Sequence, residues 1–145
     1  MRLSTKGRYG LRAMIELAQH YNDGPMSLQQ IAENQNLSPK YLHALLTDLK
    51  IAGLVHAIRG SHGGFVLAQD PESIAVGQIL PALEGSFSLT DCVEDTSVCE
   101  RSDDCAARDM WIILSGALND LMAKYTLADL AARMIPLSRI SCSDI

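Results

Sequence analysis

The sequence predicts a mainly α-helical protein that contains one small β-hairpin. Residues 27–67 read as two short amphipathic helices, a glycine and two short strands, in that order. Residues 106–124 form the longest helical pattern in the chain, and their apolar face is too broad for so small a core to cover. Helix, turn, helix and hairpin make a winged helix-turn-helix, and a second copy of the chain is expected to cover the long helix.

Local capping signals support the two short helices. Ser27 is a good N-cap, and Gln30 three residues later completes a capping box. Ser38 and Pro39 start the next helix, because Ser caps and Pro fits the first helical position; Gly53 ends that helix. The predicted buried positions are Leu28, Ile31 and Ala32 in the first helix and Tyr41, Leu42, Leu45, Leu46 and Leu49 in the second.

The two strands, 54–58 and 65–67, flank a tight glycine-rich loop, 59–64, which is the expected wing. The second helix of a helix-turn-helix enters the major groove of DNA, so the pattern predicts binding to a double-stranded DNA operator. The candidate DNA-binding residues are Lys6, Arg8, Ser38, Lys40, Tyr41, His43, Thr47, Lys50, Arg59, Ser61 and His62.

These residue types suit different parts of DNA. Lysine and arginine suit phosphate oxygens, His43 and Thr47 can hydrogen-bond base edges, and Ala44 can touch a thymine methyl group. Arg59 and His62 in the wing can enter a minor groove. A solvated basic face is the alternative for the cations near the N-terminus.

Three more helices are expected. Residues 1–21 are helical for most of their length, with Ser4 or Thr5 as the cap. Residues 73–84 form a helix that Gly85 ends. Thr126 caps a final helix that continues through Met134. The buried stripe of the first helix is predicted as Tyr9, Ala13, Met14, Leu17, Ala18 and Tyr21.

The expected organisation has four parts. A DNA-binding domain spans 1–85, a cysteine-bearing loop 86–105 (the cysteine segment), a dimerisation helix with a final short helix 106–135, and a loose tail 136–145.

Charge is divided unevenly along a chain whose net charge is −5. Residues 1–65 carry seven Lys and Arg against four Asp and Glu, whereas residues 66–145 carry five against thirteen. A local basic face matters for phosphate contact more than the whole-chain charge does. No membrane-length apolar run and no signal peptide are recognised, so a cytoplasmic protein is expected. No phosphate loop or nucleophile–base motif suggests an enzyme.

Three cysteines share one polar, acidic stretch: Cys92, Cys99 and Cys105, with the spacing Cys-x6-Cys-x5-Cys. In a cytosolic chain this points to a metal or redox site, and thiolates suit an iron–sulfur cluster or zinc. The short Cys-x2-Cys hooks of structural zinc sites are missing, which favours a cluster or a redox thiol set. Three unrelated thiols are the alternative, and Cys142 in the tail is expected to be unrelated.

Five stretches carry a family resemblance: MRLSTKGRYGLRAM, SLQQIAENQNLSPKYLHALL, GLVHAIRGSHGGFVLA, IAVGQIL and LEG. They resemble the Rrf-type bacterial transcription regulators (IscR-, NsrR-, RirA- and CymR-like), in the three-cysteine, cluster-binding subtype. The resemblance implies a homodimeric winged-helix transcription factor whose long helix crosses to the partner's DNA-binding part. It also implies that Cys92, Cys99 and Cys105 hold a 2Fe–2S or 4Fe–4S cluster.

The chain departs from the family pattern at three positions. Arg108 stands where the family pattern has a histidine ligand of the cluster, and Arg8 stands where other members have an acidic ligand. His43 stands where the related regulators carry a glutamate that helps to determine promoter choice. The fourth cluster ligand is left open between Asp103, Asp104, Asp109, an outside thiol and an open iron site. The predicted function is a cluster-controlled regulator. The alternative is control by thiol oxidation or by a protein partner, such as a cysteine-biosynthesis enzyme, without a cluster.

Overall fold

A computed structural model describes residues 3–133, and within them the chain is mainly helical with one antiparallel hairpin, as predicted. The helices are α1 (Thr5–Gln19), α2 (Leu28–Gln35), α3 (Pro39–Ile51), α4 (Val76–Glu84), α5 (Asp91–Glu94), α6 (Ala106–Lys124) and α7 (Leu127–Ala131). The strands are β1 (Val55–Ile58) and β2 (Gly64–Leu67). Short 3-10 turns cover Pro71–Ser73, Thr96–Val98 and Ser102–Asp104.

Four helices start at predicted N-caps. The hydroxyls of Ser4, Ser27, Ser38 and Thr126 each accept backbone N–H groups from the first turn of α1, α2, α3 and α7. A cap of this kind contributes about 1 kcal/mol. The capping box predicted at Ser27 is half formed: its Oγ accepts the Gln30 N–H at 3.2 Å, but the exposed Gln30 side chain makes no return bond among the described residues.

One core holds α1, α2, α3, α4 and α7 together with the hairpin. The Met26 backbone pairs with Phe65 on the second edge of β2, so the hairpin is fixed to the segment before α2. The largest fully buried side chains are Met14, Ile31, Leu42, Leu45, Leu46, Leu49, Val55, Ile74, Ile79 and Leu127. The predicted apolar stripes of α2 and α3 therefore face this core, with Leu28 and Tyr41 only half-buried at its margin.

Two predicted features of the N-terminal half and of α4 are wrong. Tyr21 was predicted as buried, but it lies beyond the end of α1 and is 41% exposed, because the chain turns away from the core there. The helix predicted from residue 73 begins at Val76 instead. Ile74 is buried in extended backbone, where its carbonyl accepts the Leu127 N–H at 2.7 Å, so this segment is used to hold the start of α7.

The C-terminal elements partly follow the prediction. The bounds of α6 are those expected. The last helix ends at Ala131 rather than at Met134, because the backbone of Arg133 takes a positive φ of 52° that interrupts a right-handed helix. Met134, Cys142 and the predicted tail lie outside the described residues. No helix in residues 3–133 is long and apolar enough to cross a membrane.

Candidate nucleic-acid interface and cysteine segment

The outer face of α3 is polar and accessible. Lys40, His43, Ala44 and Lys50 are exposed, whereas the leucines of α3 are buried on the opposite side. The Thr47 hydroxyl donates its proton to the His43 carbonyl at 2.7 Å. It can therefore still accept a hydrogen bond from DNA, but it cannot donate one while this contact is made. Because the helix is fixed by its buried face, its outer face is available to a ligand as a rigid unit.

The start of α1 lies beside α3. The Lys6 Nζ is 2.9 Å from Asp48 Oδ2, and the rings of Tyr9 and Tyr41 meet edge to face at 6.3 Å. The hydrogen bond and the charge of Asp48 raise the pKa of Lys6 above its ordinary value. Lys6 therefore has a protein partner on α3, whereas Arg8 is exposed, with its guanidinium 5.9 Å from the centre of the Tyr9 ring.

A hydrogen-bond network that was not predicted joins α1 to the end of α2. Arg12 donates from Nε to the Gln35 side-chain oxygen at 2.9 Å and from a terminal nitrogen to the Gln35 carbonyl at 3.2 Å. The side chains of Asn34 and Gln35 donate to Glu16, which is buried. This network fixes the helix-turn-helix on α1, and the only local signal for it is a glutamate within an apolar stripe.

The wing projects from the fold. Arg59, Ser61 and His62 are all exposed. Gly63 is required in the turn, because its N–H donates to the Gly60 carbonyl at 3.1 Å and a Cβ there would overlap the carbonyl of Ile58. The close backbone turn thus holds the three polar side chains away from the core.

The cysteine segment contains more local structure than the predicted irregular loop. It holds α5 and two 3-10 turns, and Asp95 caps one of these by accepting from the Ser97 N–H at 2.9 Å and hydroxyl at 2.6 Å. Turns this short leave no helical periodicity, which is why sequence patterning missed them. An aspartate two residues before a serine is the signal that points to such a turn.

The first part of the segment is hydrogen-bonded to α6. The Leu89 N–H donates to the hydroxyl of Ser115, which is buried, and Arg108 donates from Nε to the Cys92 carbonyl at 2.7 Å. Arg108, at the position where the family pattern predicts a histidine ligand, thus binds the backbone of the segment.

The three thiols have different surroundings. Cys92 is half-buried with its Sγ 3.3 Å from the Thr90 hydroxyl, Cys99 is exposed, and Cys105 is half-buried immediately before α6. Within residues 3–133, no three or more Cys, His, Asp or Glu side chains are close enough to share one metal ion. The three cysteines of the segment therefore do not converge on one metal ion in this arrangement.

An apolar surface runs along α6. Met110, Ile113, Leu114 and Leu121 are 50%, 63%, 39% and 38% exposed. Their spacing of three, one and seven residues places them on one side of the helix. We call these four residues the α6 face.

Comparison with known proteins identifies the family. The Rrf2 family, described as iron-dependent transcriptional regulators, matches residues 3–133. The chain belongs to the Rrf2 family of transcriptional regulators.

Individual Rrf2 relatives align over most of their length. The regulator CymR of Bacillus subtilis is 44% identical over 132 residues, covering 91% of each chain, and IscR of Yersinia enterocolitica is 38% identical over 130 residues, covering 90% of this chain and 79% of IscR. The solved structure of B. subtilis CymR, described as the global cysteine regulator, has a TM-score of 0.77 and covers 92% of this chain and 98% of its own.

The structure of T. potens IscR, 35% identical, has a TM-score of 0.75 and covers 97% of this chain and 93% of its own. The fold of this Rrf2 chain is thus the winged-helix fold of CymR and IscR. By name these relatives are transcription regulators and not enzymes.

Proposed function

We propose that this Rrf2 chain is a homodimeric, operator-binding transcription regulator whose DNA affinity is set by the chemical state of Cys92, Cys99 and Cys105. The observation that carries the proposal is the combination of an exposed polar α3 and wing with three free thiols on a segment anchored to α6. The four-part organisation expected from the sequence is kept as part of this proposal.

Contacts with DNA are divided between α3, the wing and α1. We propose that the outer face of α3 reads base edges in the major groove, as the second helix of a helix-turn-helix does. The wing side chains would enter an adjacent minor groove, and Arg8 would hold a phosphate. Lys6 would act mainly through Asp48, since the two are already paired.

The α6 face supports the homodimer. A row of large apolar side chains on one helix is typical of an interface, and a two-fold dimer presents two recognition helices to a two-fold operator. The partner on this face is therefore proposed to be a second copy of the chain.

For the state of the cysteines, the first candidate is an iron–sulfur cluster. Three thiolates are the donor set that such clusters use. Cys92, Cys99 and Cys105 would bind the irons of the cluster, and because they do not converge on one metal ion in the described arrangement, they would bind different irons or the segment would rearrange around the cluster.

Control by thiol oxidation or by a protein partner is the second candidate. The separate environments of the three thiols favour it, and so does the similarity to CymR, a global cysteine regulator. Control of this kind needs no shared metal site.

Anaerobic reconstitution with iron and sulfide distinguishes the two candidates. If the cluster forms, the wild-type protein gains visible charge-transfer absorption with matching iron and sulfide contents. The variants Cys92→Ala, Cys99→Ala and Cys105→Ala should each lose it, and Cys142→Ala is the matched control that keeps it. If the wild-type protein stays colourless but its operator affinity changes on thiol oxidation, the second candidate is correct. An operator affinity that is the same in every state would refute control by the cysteines.

A further inference from the structure

A carboxylate from the end of α4 caps the start of α1. Glu84 Oε1 accepts hydrogen bonds from the Ser4 N–H at 3.1 Å, the Ser4 hydroxyl at 2.6 Å and the Gly7 N–H at 2.9 Å. The first N–H groups of a helix have no partner within the helix, and a negative charge is favourable at that end. Glu84 therefore fixes the first turn of α1 from a position 80 residues away.

Two glycines make this contact possible. A Cβ at Gly7 would overlap the Glu84 carboxylate, and a Cβ at Gly10 would overlap the Leu83 side chain. Glycine inside a helix costs about 1 kcal/mol relative to alanine, so a reason in packing is expected where two occur one turn apart. The close approach of α1 to the last turn of α4 is that reason.

The same first turn also contacts the recognition helix. Lys6, next to Gly7, forms the ion pair with Asp48 of α3. On the other side, Glu84 is followed at once by Gly85, which ends α4 with a φ of 83°, and the cysteine segment begins after it. One turn of helix thus lies between the start of the cysteine segment and the helix proposed to read DNA.

We propose that Glu84 is a positioning residue for operator binding, which acts through the first turn of α1 and the Lys6–Asp48 pair on the orientation of α3. A change in the cysteine segment pulls on Gly85 and Glu84, and the cap transmits that movement to α1. The transmission from the cysteine segment is the regulatory half of the proposal, and it rests on the proposed function. The effect of Glu84 on the orientation of α3 is the positioning half, and it depends only on the contacts above.

A double-mutant cycle with operator DNA tests the positioning half. Glu84→Gln keeps an acceptor oxygen but removes the charge, and it should weaken specific operator binding by roughly three- to fivefold, the most that an exposed ion pair transmits. In an Asp48→Asn background, where the path to α3 is already broken, the same substitution should change the affinity by less than about twofold. Equal losses in both backgrounds would show that Glu84 is only a helix cap, and the positioning role would be wrong.

Two further variants keep this cycle interpretable. Gly7→Ala displaces the Glu84 carboxylate without removing it. Its loss of operator affinity should also be smaller in the Asp48→Asn background than in the wild-type background. Ser27→Ala removes the cap of α2, which has no contact with Glu84, and should give the same loss in both backgrounds. Thermal unfolding of each variant separates effects on binding from loss of the fold.

The regulatory half is tested by comparing operator affinity before and after the cysteines change state, by cluster reconstitution or thiol oxidation. In Glu84→Gln the ratio of the two affinities should fall toward one. A variant that retains the wild-type ratio would overturn the relay, although the cysteine control would stand. If the wild-type ratio is itself one, both the cysteine control and the regulatory half are wrong, and the double-mutant cycle still decides the positioning role.

Discussion

Removal of one side chain from the α6 face should weaken the dimer by an amount that follows from its exposure. Ile113 is 63% exposed in the single chain. Ile113→Ala deletes three carbon groups worth about 0.8 kcal/mol each when fully buried, which is about 1.5 kcal/mol for the fraction that a partner can cover. A two-fold dimer contains the substitution once in each chain, so the dimerisation free energy falls by about 3 kcal/mol. The dissociation constant should therefore rise roughly a hundredfold.

Sedimentation equilibrium over a range of protein concentrations measures this change. Ile51→Ala is the matched control, because Ile51 is 80% exposed but belongs to the end of α3 and not to the α6 face. Its dimer dissociation constant should equal that of the wild type. If Ile113→Ala remains folded and dimerises as tightly as the wild type, the α6 face is not the interface; a wild type that is monomeric at micromolar concentration would refute the dimer itself.

Three further predictions concern DNA binding and stability. Arg59→Ala should cost about 1–3 kcal/mol of binding to a specific operator but much less on random DNA in fluorescence anisotropy; equal losses would mean that Arg59 contacts only phosphate. The raised pKa of Lys6 means that its pair with Asp48 stabilises the fold below pH 10.5, the unshifted value, and that this contribution is lost as pH rises through the higher pKa of the folded protein. Because the pair is exposed, Asp48→Asn should lower the free energy of unfolding at pH 7 by less than about 1 kcal/mol, and by less still in high salt. Gly10→Ala should destabilise by about 1–3 kcal/mol in urea unfolding, because its methyl group would overlap Leu83; a stabilised variant would show that the two helices can separate freely.

Features encoded in neighbouring residues were predictable from the sequence. The caps at Ser27 and Ser38 and the leucine spacing of α3 define the helix-turn-helix, because each depends on residues within one or two turns of each other. The bounds of α6 were predicted correctly, although its partner on the α6 face remains a proposal. The same reasoning failed at Tyr21, since periodicity continued past the point where α1 ends.

Contacts between distant parts of the chain were not predictable in the same way. The Glu84 cap on Ser4 and the Lys6 pair with Asp48 depend on how α1, α3 and α4 pack, and no local pattern specifies them. The closest signal was the pair of glycines in α1, which indicates a close approach without naming the partner.

The cysteine segment combines firm ends with a weakly held middle. Its first part follows Gly85 of α4 and is bound to α6 through Leu89 and Cys92, and its last residue, Cys105, leads directly into α6. Residues 94–101 between them are all exposed, and their hydrogen bonds are local. A segment that buries little apolar surface can be rearranged for a few kcal/mol, which ligand binding or thiol oxidation supplies. Because the segment connects α4 to α6, we expect such a rearrangement to shift α4 relative to α6. In the proposed dimer, joined through the α6 face, that shift would change the spacing of the two α3 helices, on which we propose that operator affinity depends.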